Sequence, residues 1–150
     1  MPLCVAIDGA VERAVRAFLA EDIARERGGF LVGRLASHAG AATEVRAFVA
    51  CPDAPATAVS LTFRAEEWQL VHTYEPVACG RAAIVGWVHS HPSMPVEMSG
   101  RDLFIQRHFF GDARQVAWIR DPVGGDEALW HWTDDGIARA ERVAAEGARS

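Results

Sequence analysis

An α/β (α+β) fold, with a central mixed β-sheet covered by helices, is predicted by three features of the sequence. An apolar stripe at helical spacing follows the N-terminus, an apolar run rich in β-forming residues lies in the middle, and two pairs of alternating segments flank short turns. With 150 residues, half of them hydrophobic and 23% charged, the chain is expected to bury its core as a single domain over residues 1–150.

Each element follows from local pattern. From Asp8 to about Arg27, Val11, Val15, Phe18, Leu19 and Ile23 recur at three- and four-residue steps, with Glu12, Arg13, Arg16, Glu21 and Arg25 mostly between them. Asp8 is placed to cap this helix and Gly28-Gly29 to end it. FLVGRLA (Phe30 to Ala36) and TEVRAFVA (Thr43 to Ala50) read as a hairpin around the small, polar loop SHAGA. Cys51 to Ser60, with two prolines and little periodicity, reads as an exposed loop able to carry recognition. Phe63 to Tyr74 suggests a short helix, and RAAIVGWV (Arg81 to Val88) a central strand that delivers His89 and His91 at its end.

Ser99 to about His108 reads as a helix with Ser99 as N-cap and Asp102 as its capping-box partner. RQVAWIRD and DEALWHWT alternate around Pro122 to Gly125 and form a second predicted hairpin, followed by a last helix over Asp135 to Glu146. Trp118, Trp130 and Trp132 fall at strand spacing and are expected to pack one sheet face, while His38, His72, His108 and His131 have no partner in the pattern and read as structural.

Composition narrows the function. A net charge of −5 and a pI of 5.6 leave no broad basic surface for phosphate backbones, so nucleic acid is not an expected partner. Neither a signal segment nor a run of eighteen apolar residues is present, which predicts a cytoplasmic protein with no membrane association. Cys4, Cys51 and Cys79 are odd in number and in no CxxC arrangement, so they suggest neither a disulfide framework nor a thiolate metal site. All fifteen basic residues are arginine and none is lysine, for which codon bias is a sufficient explanation.

The chemistry concentrates in VGWVHSHPSMPVEMSGRD, Val85 to Asp102. Residues two apart on a strand point to one side, so His89 and His91 can present both imidazoles to one point, and Asp102, in the first turn of the following helix, can fold back toward them. Two imidazoles and a carboxylate leave a fourth position for water, the arrangement of a catalytic rather than a structural zinc site. Zinc in such a site lowers the pKa of its water from 15.7 to roughly 7. A proton acceptor is then needed. Several glutamates qualify by composition, and Glu26 is favoured because its helix-to-strand turn can lie at the sheet edge. Ser99 can donate to a developing oxyanion with help from the helix dipole. A His pair or a Ser-x-x-Asp start is by itself usually a core feature or a cap. The joint pattern H-x-H-x7-S-x2-D, however, arises by chance in about one of two thousand chains of this composition.

These residues resemble a known family. H89-S-H91-P with S99-x-x-D102, preceded by G86-W87, is similar to the signature of the JAMM (MPN-plus, JAB/Mov34-type) zinc metalloproteases, and E26-R-G-G29-F-L31-V-G33 matches their upstream E-x-x-G-x-L-x-G motif. The resemblance implies the MPN/JAMM fold, a cytidine-deaminase-like sandwich, with one zinc ion per chain held by His89, His91 and Asp102. Glu26 would activate the water and Ser99 would steady the oxyanion. It further implies a peptidase or isopeptidase that cleaves after the C-terminal residue of a ubiquitin-like modifier, removing it from target lysines or processing its precursor.

The chain looks like compact bacterial and archaeal members. For those, the resemblance points to a ubiquitin-like conjugation pathway linked to antiphage defence, with activating- and conjugating-enzyme-like proteins as possible partners. In that setting an enzyme without lysine would offer no side-chain acceptor of its own. Alternative readings are a peptidase that matures a sulfur-carrier-type small protein and a non-catalytic MPN scaffold. Cys51 to Ser60 and Ser93 to Met98 are candidate walls of a substrate groove, with Met94 and Met98 as adaptable apolar contacts. Glu97 reads as a solvated loop carboxylate rather than a ligand.

Overall fold

The apolar run in the middle of the chain becomes β6 (Ala83–Ser90), and the rest of the molecule is arranged around it. A computed structural model describes residues 2–145. Before β6 come β1 (Cys4–Ile7), α1 (Gly9–Ala20), the hairpin of β2 (Gly28–Arg34) and β3 (Ala42–Ala50), the short strands β4 (Ala56–Thr57) and β5 (Ser60–Leu61), α2 (Ala65–Thr73) and α3 (Glu75–Ala78). After it come α4 (Gly100–Phe109), β7 (Val116–Arg120), β8 (Glu127–Thr133), β9 (Gly136–Arg139) and β10 (Glu141–Val143).

The main sheet has eight strands in the order β10-β1-β3-β2-β6-β7-β8-β9. It is mixed, with β1 parallel to β3 and β10, β6 parallel to β7, and the other neighbours antiparallel. The sheet is nearly closed. Ala140 alone separates the two edge strands, and its N–H bonds to Leu129 O on one side while Glu141 N–H bonds to Leu3 O on the other.

Helices cover both faces. On one, Val11, Val15, Phe18 and Leu19 of α1 pack with Val5, Leu31, Val45, Val85, Val88 and Trp118. On the other, Phe30, Trp87 and Ala117 pack against Val71 of α2, Ile105 of α4 and Phe110. Gly86 allows β6 to serve both faces. Its φ is 157°, a Cβ would run into the Val116 carbonyl oxygen, and the pairing with β2 slips register at this level. The slip leaves Val85 and Val88 facing α1 while Trp87 turns to the other side.

Several expectations change. The first helix ends at Ala20 instead of about Arg27, because the Asp22 carboxylate accepts the N–H groups of Ala24 and Arg25 and wraps the chain into a turn, leaving Ile23 exposed. Gly28-Gly29 open β2 instead of capping the helix. A Cβ on Gly28 would strike the Val88 carbonyl oxygen, so glycine is required there by close strand approach. The loop from Cys51 holds the small hairpin β4–β5, and Cys51 itself is buried. Strand β1 has no counterpart in the sequence reading.

The predicted helix over Asp135 to Glu146 is strand β9 and strand β10 as far as the described residues extend, with Glu146 outside them; Gly136 at φ 116° makes the tight return from β8. The three tryptophans divide between the faces. Trp118 pairs with Leu129 and packs toward α1, while Trp130 pairs with Ala117 and packs toward α2 and α4, and Trp132 lies under the Arg107 guanidinium of α4. None of the helices among the described residues is long and apolar enough to cross a membrane.

Candidate metal centre

Strand alternation carries Trp87, His89 and His91 to the same side of β6, and His91, one residue past its end, is held beside β7 by its N–H bond to Arg120 O. The two Nε2 atoms meet 3.1 Å apart. Asp102 reaches them from α4, with Oδ2 2.9 Å from His91 Nε2 and Oδ1 3.1 Å from His89 Nε2. Its position is set by the helix start. Ser99 Oγ accepts the Asp102 N–H at 3.1 Å, and Ser99 N–H donates to Asp102 Oδ2 at 3.0 Å.

Glu26 arrives from the segment before β2. The β2–β6 ladder, in which Gly28 faces His89, continues one step further through Ser90. Its N–H donates to Arg27 O, and its Oγ accepts Arg27 N–H, both at 2.8 Å. Glu26 N–H is tied on the other side to Thr57 O in β4. Its carboxylate then lies 3.9 Å from His91 Nε2, and one donor atom from each of Glu26, His89, His91 and Asp102 falls within a 4.8 Å cluster. All four side chains are buried.

The hydrogen bonding of His91 presents Nε2 to the cluster. His91 Nδ1 lies 2.8 Å from Pro95 O, which assigns the ring proton to Nδ1 and leaves the Nε2 lone pair facing the cluster. Burial lowers the pKa of His89, favouring the neutral ring. His91 is also disfavoured as a cation by burial, but Asp102, Pro95 and Glu26 outweigh this and raise it. Burial alone would raise Asp102, yet the two imidazoles and the Ser99 N–H hold its carboxyl well below the usual range. Burial pushes Glu26 up to about 8, with Asp102 adding to the rise and His91 and Arg101 opposing it.

The residues fit a divalent transition metal. The neighbouring donors of a tetrahedral site with bonds of about 2.0–2.1 Å lie about 3.3 Å apart, close to the 2.9–3.1 Å separations among His89, His91 and Asp102. Glu26 Oε1 and His89 Nδ1 are buried without hydrogen-bond partners among the described residues. Two imidazoles and a carboxylate suit zinc, iron, cobalt or manganese.

All five principal residues named from sequence therefore converge or adjoin, with Ser99 exposed at the helix start and its Oγ acting as the cap. The candidate groove residues divide. Residues of the Cys51 loop, including Pro52, Asp53 and Pro55, line a cavity of about 500 Å³ with Glu26 and Arg27. Ser93 to Met98 is not part of that wall; Met98 packs against the α2–α4 core and Met94 is half-buried. Glu97 is exposed and outside the cluster.

Sequence reading missed two supports. Trp87 stacks on His89 at 4.3 Å between ring centroids and an interplanar angle of 6°, and its Nε1 donates to Gln106 Oε1 at 2.6 Å. Its place two residues before His89 in a strand was the available signal. The Pro95 carbonyl left no such signal.

No family model matches this chain, and no curated protein does. Solved structures do match it. The solution structure of protein DSY2949 from Desulfitobacterium hafniense aligns with a TM-score of 0.73, covering 97% of this chain and 95% of that one at 18% identity. The likeness shows a shared mixed α/β fold.

Proposed function

We propose that this protein has the MPN/JAMM fold and is a zinc-dependent peptidase or isopeptidase that hydrolyses the bond after the C-terminal residue of a ubiquitin-like modifier. The observation that carries the reading is the convergence of Glu26, His89, His91 and Asp102, drawn from three separate chain segments, on one buried point. The motif residues that resemble the JAMM signature are the same ones.

A divalent ion held by His89, His91 and Asp102 would polarise a scissile carbonyl and acidify a water beside it. The chain's own groups supply the rest. Glu26, close enough to His91 to border the ion site, would in its carboxylate form, which a neighbouring divalent cation favours, take a proton from the attacking water and return it to the leaving amine. Ser99 Oγ uses a lone pair to cap Asp102 N–H, so its own O–H remains free to donate to the oxyanion. The cavity lined by Glu26, Arg27 and the Cys51 loop is the candidate course for the modifier's extended tail.

The test joins metal analysis to turnover. Protein purified without added metal is expected to carry about one zinc per chain by the four-coordinate logic of the site, and Asp102→Ala to carry none. Glu26→Gln should keep the ion and lose about 10²–10⁴-fold in hydrolysis of a ubiquitin-like protein bearing a C-terminal fluorogenic amide. Near-wild-type turnover in that variant would remove Glu26 as the base. Metal-free wild-type protein would turn attention to a scaffolding role.

A further inference from the structure

The candidate centre needs His91 to keep one ring orientation, and what fixes that ring is a backbone carbonyl in a loop. His91 Nδ1 donates to Pro95 O at 2.8 Å. A loop carbonyl positions a ligand only as well as the loop itself is held. Here the chain makes a tight turn after His91, closed by Met94 N–H on His91 O at 3.1 Å, and Ser93 within it takes a φ of 55°. A serine in that left-handed region is held there by its surroundings.

Two side chains of the β7–β8 hairpin supply the hold. Asp121, the residue after β7, accepts the Ser93 N–H and the Val123 N–H on Oδ1, each at 2.9 Å. Its own backbone is fixed by Asp121 N–H to Asp126 O at 2.8 Å and Gly125 N–H to Asp121 O at 2.9 Å. On the far side of Pro95, Trp130 Nε1 donates to Val96 O at 3.0 Å, with the indole packed against the α2–α4 core. Pro95 is thus bracketed by a tether two residues before it and another one residue after it.

We infer that Asp121 and Trp130 are positioning residues of the metal centre, holding residues 91–98 so that the Pro95 carbonyl locks the His91 ring. The inference rests on the reading of the site as metal-binding. Asp121 is buried, and its carboxylate is occupied by backbone N–H donors of the loop and of its own turn. Hydrogen-bond partners beyond the ligands tune metal affinity by about 10–100-fold in characterised sites.

The experiment compares wild type with Asp121→Ala, Asp121→Asn and Trp130→Phe, reading Co²⁺ affinity against a chromophoric chelator and the visible Co²⁺ spectrum. Asp121→Ala is expected to weaken binding by about 10-fold or more and to alter the spectrum. Trp130→Phe, which removes the N–H donor together with part of the indole ring, should do so by a few-fold, and Asp121→Asn, which keeps an acceptor at Oδ1, should restore most of the affinity. Asp121→Ala that melts earlier yet binds Co²⁺ with wild-type affinity and spectrum would overturn the inference. If Asp121→Ala does not fold, Trp130→Phe decides in the same way. If wild type binds no ion, the metal reading falls, and NMR of the His91 Nδ1 proton decides the clamp. Protection from exchange in wild type and its loss in Trp130→Phe support it; equal exchange in both overturns it.

Discussion

The two faces of the sheet are built on the same strands and bury different things. Toward α1 the buried cluster is Val5, Val11, Val15, Leu19, Leu31, Val45, Val88 and their neighbours. Toward α2 and α4 an apolar start at Phe30, Trp87 and Phe110 grades into Gln106, His89, Asp102, His91 and Glu26, all buried. Burying apolar surface stabilises by about 25 cal/mol per Å². A buried polar group without a partner costs about 1–3 kcal/mol, and Glu26 Oε1, His89 Nδ1 and Gln106 Nε2 have none among the described residues. One face therefore holds the fold together, while the other gives up stability at the corner where the ligand atoms meet.

Two glutamates of similar exposure sharpen the point. Glu26 and Glu67 are 3% and 2% exposed. Arg64 wraps Glu67, donating from its backbone N–H, Nε and Nη2 at 2.7–3.0 Å, and these bonds lower the pKa of Glu67 despite its burial. Glu26 has no such partner and is pushed up to about 8. Glu67 lies shallower than Glu26 and beside an arginine, so depth of burial and neighbour together set the two charges.

The comparison breaks most visibly at the metal ligands. Saturating ion, at about a thousand times its Kd, should stabilise wild type by about 4 kcal/mol. Chelator should therefore lower its melting temperature, whereas Asp102→Ala should melt alike with and without chelator. Next comes the apolar face: Leu19→Ala should cost about 2–5 kcal/mol in denaturant unfolding and leave Co²⁺ affinity unchanged. A variant that lost the metal as well would mean the faces are coupled.

Replacing Glu26 by Gln should shift stability by less than about 1 kcal/mol, since it exchanges an unpaired buried acid for a neutral isostere. The smallest effect falls on Glu67. Its folded pKa lies below the ordinary 4.5, so its contribution is present above that value and lost as pH falls through the folded pKa. Acid titration of wild type should show that loss, and Glu67→Gln should flatten it.

Much of this was legible in order along the chain. The stripe of Val11, Val15, Phe18 and Leu19, the run into His89, the Ser99–Asp102 helix start and both hairpins depend on contacts within a few residues, and each formed where periodicity and turn chemistry place it. Ile137 and Arg142 lie in a stretch that reads as helix, yet pairing with β8 and β1 drew both into strands. That pairing joins residues far apart in the chain, and local propensity carries no record of it.

The sequence by itself determined which residues form most of the candidate cluster: His89 and His91 share a side because strand side chains alternate, and Asp102 sits in a first turn because Ser99 caps it. Glu26 was singled out in the sequence by its place before β2 and by its motif, and the tertiary structure supplied the pairing that brings it to the cluster. Ser90 and Arg27, far apart in sequence, had to pair across the sheet to bring it there. The Pro95 carbonyl and the Asp121 tether were invisible beforehand, because a backbone group becomes a partner only when folding removes the water that would otherwise satisfy it.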